Sequence, residues 1–89
     1  QPGSPKVLLT PGLIEQGDDQ DRVHAQLGAA AATVFDRAVF LHRRSAASFE
    51  RGFGKPVEVL TPQSERVAQG TLLVCVGRLP KRALDLLLP

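Results

Sequence analysis

The sequence predicts an α/β domain: a four-stranded parallel sheet between two layers of helix, with strand order 3-2-1-4. Three observations carry that expectation. Four short apolar runs recur along the 89 residues, each with the length and composition of a strand. Helical segments separate and follow them, and a βαβαβαβα alternation makes a parallel sheet with helices on both faces. Right-handed crossovers then leave few arrangements, of which 3-2-1-4 suits the four runs best.

Residues 1–5 are polar, carry two prolines and read as a linker, so the domain runs from residue 6 to residue 89. Val7-Leu8-Leu9 is the first strand. The first helix should span roughly Asp19 to Val34. Asp18, Asp19 and Asp21 crowd its start, where carboxylates cap free amides and oppose the positive end of the helix dipole. Val23, Leu27, Ala30, Ala31 and Val34 then form one apolar stripe.

Ala38-Val39-Phe40-Leu41 is the second strand. Ser45 can cap a short second helix running through Arg51, and Gly52 supplies a left-handed stop. Gly52-Phe53-Gly54 reads as a turn before the third strand, Val57-Glu58-Val59-Leu60, whose alternation suits a sheet edge. Thr61 followed by Pro62 is a cap plus a first-turn proline, so a third helix is expected there, ending near Gly70. Pro80 opens the last helix, with Ala83, Leu84, Leu87 and Leu88 on its buried face.

The fourth run, Leu72-Leu73-Val74-Cys75-Val76, has no polar break, which is the pattern of an interior strand. The predicted order nevertheless puts it at an edge. Another strand, outside these residues or supplied by a second copy as a homodimer, is expected to pair with it. Cys75, inside this apolar run, is expected to pack and not to act as a nucleophile.

Composition narrows the function classes. No run of eighteen apolar residues could span a membrane. A net charge of +2, with four Phe and no Tyr or Trp, offers little to nucleic acid. One cysteine builds neither a disulfide framework nor a Cys-cluster metal site, which suits a cytoplasmic location. His24 and His42 lack the partners of a zinc site, and His24 is expected to hydrogen-bond near its helix surface. Neither a phosphate-binding P-loop nor a nucleophile elbow is present.

In an open parallel sheet, ligands bind beyond the carboxyl ends of the strands, where helix N-termini present free amides to anions. Thr10-Pro11-Gly12 follows the first strand, His42-Arg43-Arg44 the second, and Gly77-Arg78, with Lys81 and Arg82 a turn later, the fourth. One rim thus gathers five cationic side chains beside a hydroxyl and two glycines, a seat for phosphate or carboxylate. The competing reading leaves four of the five as solvated charges with no ligand.

The run from Lys6 to Gly17, Lys-Val-Leu-Leu-Thr-Pro-Gly-Leu-Ile-Glu-Gln-Gly, followed by His24 and Gly28, resembles the C-terminal domain of the Mur ligases. The likeness is to the type that adds D-alanyl-D-alanine to the UDP-N-acetylmuramoyl tripeptide. That group has a strand, then Gly-Asp-Met-x-Glu-Leu-Gly, an acidic stretch, and a His four residues before a Gly. Glu15, Gly17, His24 and Gly28 match in place, and the run from Gly70 to Gly77 resembles its Gly-Asp-x-Val-Leu-Val-Lys-Gly. Pro11 stands where the family has Asp, and Val76-Gly77-Arg78-Leu79 where it has Lys-Gly-Ser-Arg.

The resemblance implies a three-layer α/β/α, Rossmann-like domain holding four of the family's six strands, the strand beside the last one coming from upstream of Lys6. It implies a part in an ATP-dependent ligase of peptidoglycan precursor synthesis, forming an amide through an acyl phosphate and inactive as this piece alone. ATP and magnesium would belong to the parent enzyme, with none bound by this chain alone. The partners implied are the upstream ligase domains, the UDP-linked muramoyl peptide, and an amino acid or dipeptide. Thr10, Gly12, Glu15, Arg43, Arg44, Gly77 and Arg78 would line the face that meets nucleotide and substrate, with His24 orienting the Glu15 loop. Two alternatives stand beside it: an interaction module that pairs through its fourth strand, and a small phosphate- or nucleotide-binding regulator.

Overall fold

The computed structural model describes residues 5–12 and 20–89. In chain order it has β1 (Lys6–Thr10), α1 (Gln20–Ala31), β2 (Arg37–Phe40), α2 (Arg43–Phe53), β3 (Glu58–Val59), β4 (Leu72–Cys75) and α3 (Lys81–Leu87). The sheet is parallel throughout, in the order β3-β2-β1-β4. The fold class and strand order are those the sequence predicts. Among the described residues, no helix is long and apolar enough to cross a membrane.

The two central strands are covered on both faces, which is why Val7-Leu8-Leu9 and Ala38-Val39-Phe40 are apolar without alternation. Leu8, Ala38 and Phe40 point to one side and pack with Ala46, Phe49 and Phe53 of α2 and with the end of α1. Val7, Leu9 and Val39 point to the other and meet Val67 and Leu87. Phe40 and Phe49 lie with ring centroids 4.8 Å apart, and Phe49 and Phe53 5.4 Å apart. These tilted contacts join the sheet to its helical cover.

α1 and α2 cross at two glycines. A Cβ on Gly28 would lie 2.1 Å from the Phe49 carbonyl oxygen, and one on Gly52 would lie 1.8 Å from that of Ala25. Backbone therefore meets backbone, and no side chain fits between the helices at either point. This contact corrects the expectations of a stop at Gly52 and of a turn over Gly52-Phe53-Gly54, since α2 runs through Phe53. Gly52 does not stop α2 but sits inside it, and the left-handed stop is Gly54 at φ 75°, whose N–H donates to the Glu50 carbonyl at 3.1 Å.

The contact also sets the rotation of α1. His24 and Gly28, four residues apart, are buried, whereas Leu27 and Val34 of the expected stripe are 41% and 50% exposed. α1 ends at Ala31, short of Val34, as the chain turns toward Asp36 and β2. His24, expected near the helix surface, is 1% exposed. Asp18 and Asp19 of the expected cap lie outside the described residues.

The third helix is not formed. Ser64 N–H donates to the Thr61 carbonyl at 3.0 Å, while the Thr61 and Ser64 hydroxyls accept backbone N–H groups of Gln63 and Thr61. That makes one turn, which does not propagate. The segment must cross from the β3 edge to the β4 edge and also return to the start of the sheet. A helix rises only about 1.5 Å per residue, less than half of what extended chain covers. Here the extended chain is anchored: Val67 N–H donates to the Leu87 carbonyl at 2.8 Å, and Arg66 Nη1 donates to the Asp85 and Leu88 carbonyls at 2.7 Å each. The Asp85 and Leu87 carbonyls, left over at the end of α3, are thereby satisfied.

α3 buries Ala83 and Leu87 and half-buries Leu84, but Leu88 lies beyond its last turn and is exposed. β3 pairs only through Glu58 and Val59, opposite Val39 and Phe40. Arg37 and Glu58 join β2 to β3 with Nε–Oε2 at 2.6 Å and Nη2–Oε1 at 2.7 Å. The hydrogen bond to Glu58, only partly opposed by burial, raises the Arg37 guanidinium above its ordinary value. Cys75, expected to be packed, is exposed because β4 is the last strand of the sheet.

Candidate functional site

β1 and β4 lie side by side, but the chain leaves them toward opposite faces, to α1 after β1 and to α3 after β4. Such a divergence opens a crevice at the carboxyl ends of the strands. Two glycines line it. Gly12 has φ 108° and Gly77 φ 91°, values that favour glycine, and a Cβ on Gly77 would lie 3.3 Å from the Pro11 ring. The Thr10 hydroxyl accepts the Gly12 N–H at 3.1 Å and fixes the turn out of β1.

Gly12 is also where α1 and α2 converge on the sheet. A Cβ there would lie 2.6 Å from Ser45 Oγ and 3.7 Å from His24 Nε2. His24, although buried, is not without a partner. The ring is thus a post beneath the loop that leaves β1. Glu15, which His24 was expected to orient, lies outside the described residues.

α2 begins without the usual devices of a helix N-terminus. His42 at the N-cap makes no side-chain cap bond, and the first turn contains no acidic residue. Arg43 and Arg44 stand there instead. Two cations at the positive end of an eleven-residue helix repel its dipole, an arrangement that an approaching anion relieves. Ser45, expected as the cap, is buried one residue further along and faces Gly12.

The rim is divided by the sheet. On the α3 side, His42, Arg78 and Arg82 border a cleft of about 630 Å³ with Pro11, Thr61 and Leu86. Its bed is apolar and its charged side chains are cationic, the lining that a phosphate- or carboxylate-bearing molecule needs. Arg43 borders a separate groove with Glu50, Val57 and Val59. Arg44 and Lys81 are exposed and border neither space. The structure therefore sets Thr10, Gly12 and His24 around an apolar pocket on the α1 side, puts Gly77 against Pro11, and leaves Arg78 in the cleft on the α3 side and Arg43 in a third space.

Ser45 and Thr61 are the members that sequence reasoning missed as site residues. Both carried capping signals, and only the fold sets Ser45 of α2 against Gly12 and Thr61, after β3, on the cleft. Among the described residues, no three His, Cys, Asp or Glu side chains come close enough to hold a metal ion. No family model, curated protein or solved structure matches the chain.

Proposed function

We propose that this chain is the C-terminal closing domain of an ATP-dependent ligase that joins an amino acid or peptide to a peptidoglycan precursor. The cationic cleft at the carboxyl ends of a parallel sheet carries this reading. His42, Arg78 and Arg82 converge there within reach of the crevice between β1 and β4. Amide formation through an acyl phosphate needs cations around the transferring phosphoryl group and a carboxylate and amine held in line. This rim can supply positive charge and orientation. Its residues do not fit magnesium, because the cleft presents cations where a metal needs carboxylates. Magnesium and the nucleotide would be held by an upstream domain.

In that arrangement Arg78 neutralises an anionic substrate group, and Arg82, one turn into α3, extends the charge along the cleft. Gly12 and Gly77 let the turns after β1 and β4 pack closely, Gly12 against Ser45 and Gly77 against Pro11, which sets the position of Pro11 in the cleft. The apolar bed, with Pro11, Leu41 and Leu60, excludes water when the domain closes.

The test is turnover of the parent enzyme with Arg78→Ala. The expected loss is at least tenfold, or about 1.4 kcal/mol of transition-state stabilisation, with the fold unchanged by circular dichroism. Unchanged turnover removes Arg78 from the site. A parent without amide-forming activity removes the reading altogether.

A further inference from the structure

The two edges of the sheet are unlike. β3 is two residues long, carries Glu58 in an ion pair with Arg37, and is flanked by Pro56 and Pro62. Short length, charge and proline are the features by which edge strands resist pairing. β4 has none of them: from Thr71 to Gly77 there is neither a charge nor a proline. Leu72 and Val76 are 50% and 47% exposed.

The backbone of β4 is open in a defined pattern. Leu72 N–H donates to the Pro5 carbonyl at 2.9 Å and Val76 N–H to the Leu9 carbonyl at 3.1 Å. Alternate residues of a strand direct their backbone groups to the same side. Those of Leu72, Val74 and Val76 therefore turn toward β1, and those of Leu73 and Cys75 turn outward. Side chains alternate as well. Leu73 packs toward the α3 face, which leaves Leu72, Val74 and Val76 in a row on the α1 face.

We propose that this chain forms a two-fold dimer by antiparallel pairing of β4 with β4 of a second copy, the axis passing beside Val74. In that register Leu73 lies opposite the partner's Cys75 and exchanges two backbone hydrogen bonds with it. The symmetric pair supplies two more. Val74 then faces the partner's Val74, and Leu72 faces the partner's Val76, both as non-hydrogen-bonded pairs in which side chains approach most closely. Each exposed apolar side chain gains an apolar neighbour, and no two like charges meet. A second copy is self-complementary to this edge, and the result is a continuous eight-stranded sheet.

The interface is small. The run from Leu72 to Val76, β4 and the residue after it, extends about 17 Å, and the buried area falls below the roughly 1,200 Å² of a standard interface. The dimer is accordingly expected to be weak and concentration-dependent. This inference concerns the 89-residue chain, whose β4 is an edge among the described residues, and does not rest on the ligase reading, under which a strand from upstream of Lys6 would take the same edge.

Sedimentation equilibrium of the 89-residue chain reads the association. The expected result is a mass that rises from one copy to two with concentration. Leu72→Lys, at an exposed position that a folded monomer tolerates, is expected to weaken the dimer at least tenfold. A second measurement fixes the register: Val74→Cys combined with Cys75→Ser is expected to cross-link as a disulfide dimer on oxidation, while the wild-type chain, whose cysteines face leucine, does not. A chain that stays monomeric at millimolar concentration overturns the proposal. So does a dimer that Leu72→Lys leaves unchanged and that the Val74→Cys variant fails to cross-link.

Discussion

Gly12 holds a backbone conformation that favours glycine, and it does so against Ser45 and above His24. Gly12→Ala is expected to cost about 1–3 kcal/mol, because the strained φ and the 2.6 Å approach to Ser45 Oγ act together. The urea midpoint of the variant measures it. Gly77→Ala should cost less, since its Cβ would meet only the Pro11 ring, at 3.3 Å. If the two variants lose equal stability, the contact with Ser45 contributes nothing. At this scale the sequence was informative about chemistry and poor on surroundings. Thr10, Gly12, Gly77 and Arg78 follow strands and could be placed on the rim from that fact alone. Burial of His24 could not be read, because a histidine on a helix gives no sign of which neighbour closes over it.

The helix pair shows why the expected stripe on α1 was rotated from the real one. Counting large apolar residues picks out Leu27 and Val34, but a close crossing selects the smallest residues instead. Gly28 and Gly52 are that selection. Gly52→Ala is expected to destabilise by at least about 3 kcal/mol, because the clash is with a backbone carbonyl that cannot swing aside. Gly54→Ala, with nothing within 4 Å of its Cβ, should cost only about 1 kcal/mol from its positive φ. Thermal melts of the pair separate the two causes.

The link between β2 and β3 is weaker. Arg37 and Glu58 are 19% and 40% exposed, so solvent screens them, and Glu58→Gln should cost about 0.5–1 kcal/mol in chemical denaturation. The raised folded-state value of Arg37 means that its contribution is fully present below the ordinary arginine range and fades only as pH rises beyond it. This group therefore adds no pH dependence near neutrality. The missing third helix has the opposite lesson to the glycines. Thr61-Pro62 is a sound local start signal and makes a real turn, yet the distance to β4 and the bonds to α3 decide the rest of the segment.

Across the whole molecule, strand identity and order were legible because both follow from local pattern and chirality. Uninterrupted apolar strands belong in the middle of a sheet, an alternating one belongs at its rim, and right-handed crossovers do the sorting. β4 broke that pattern, and its exposed leucine and valine in the structure mark the same conflict. What the sequence could not supply was the division of the cationic rim. Arg43 and Arg78 both follow strands, but α2 and α3 lie on opposite faces and carry their neighbouring charges apart.

The hydrogen bond from Leu72 to Pro5 ties β4 to the entrance of β1. During synthesis β1 emerges before β2, β3 and β4, yet it lies in the interior of the sheet. Until Val67 and Leu87 have been made, the side of the sheet bearing Val7, Leu9 and Val39 has no lid, and a nascent chain must carry that greasy surface unprotected. Premature termination anywhere before α3 would leave a sticky half-sandwich, and a translation pause there would prolong the exposure.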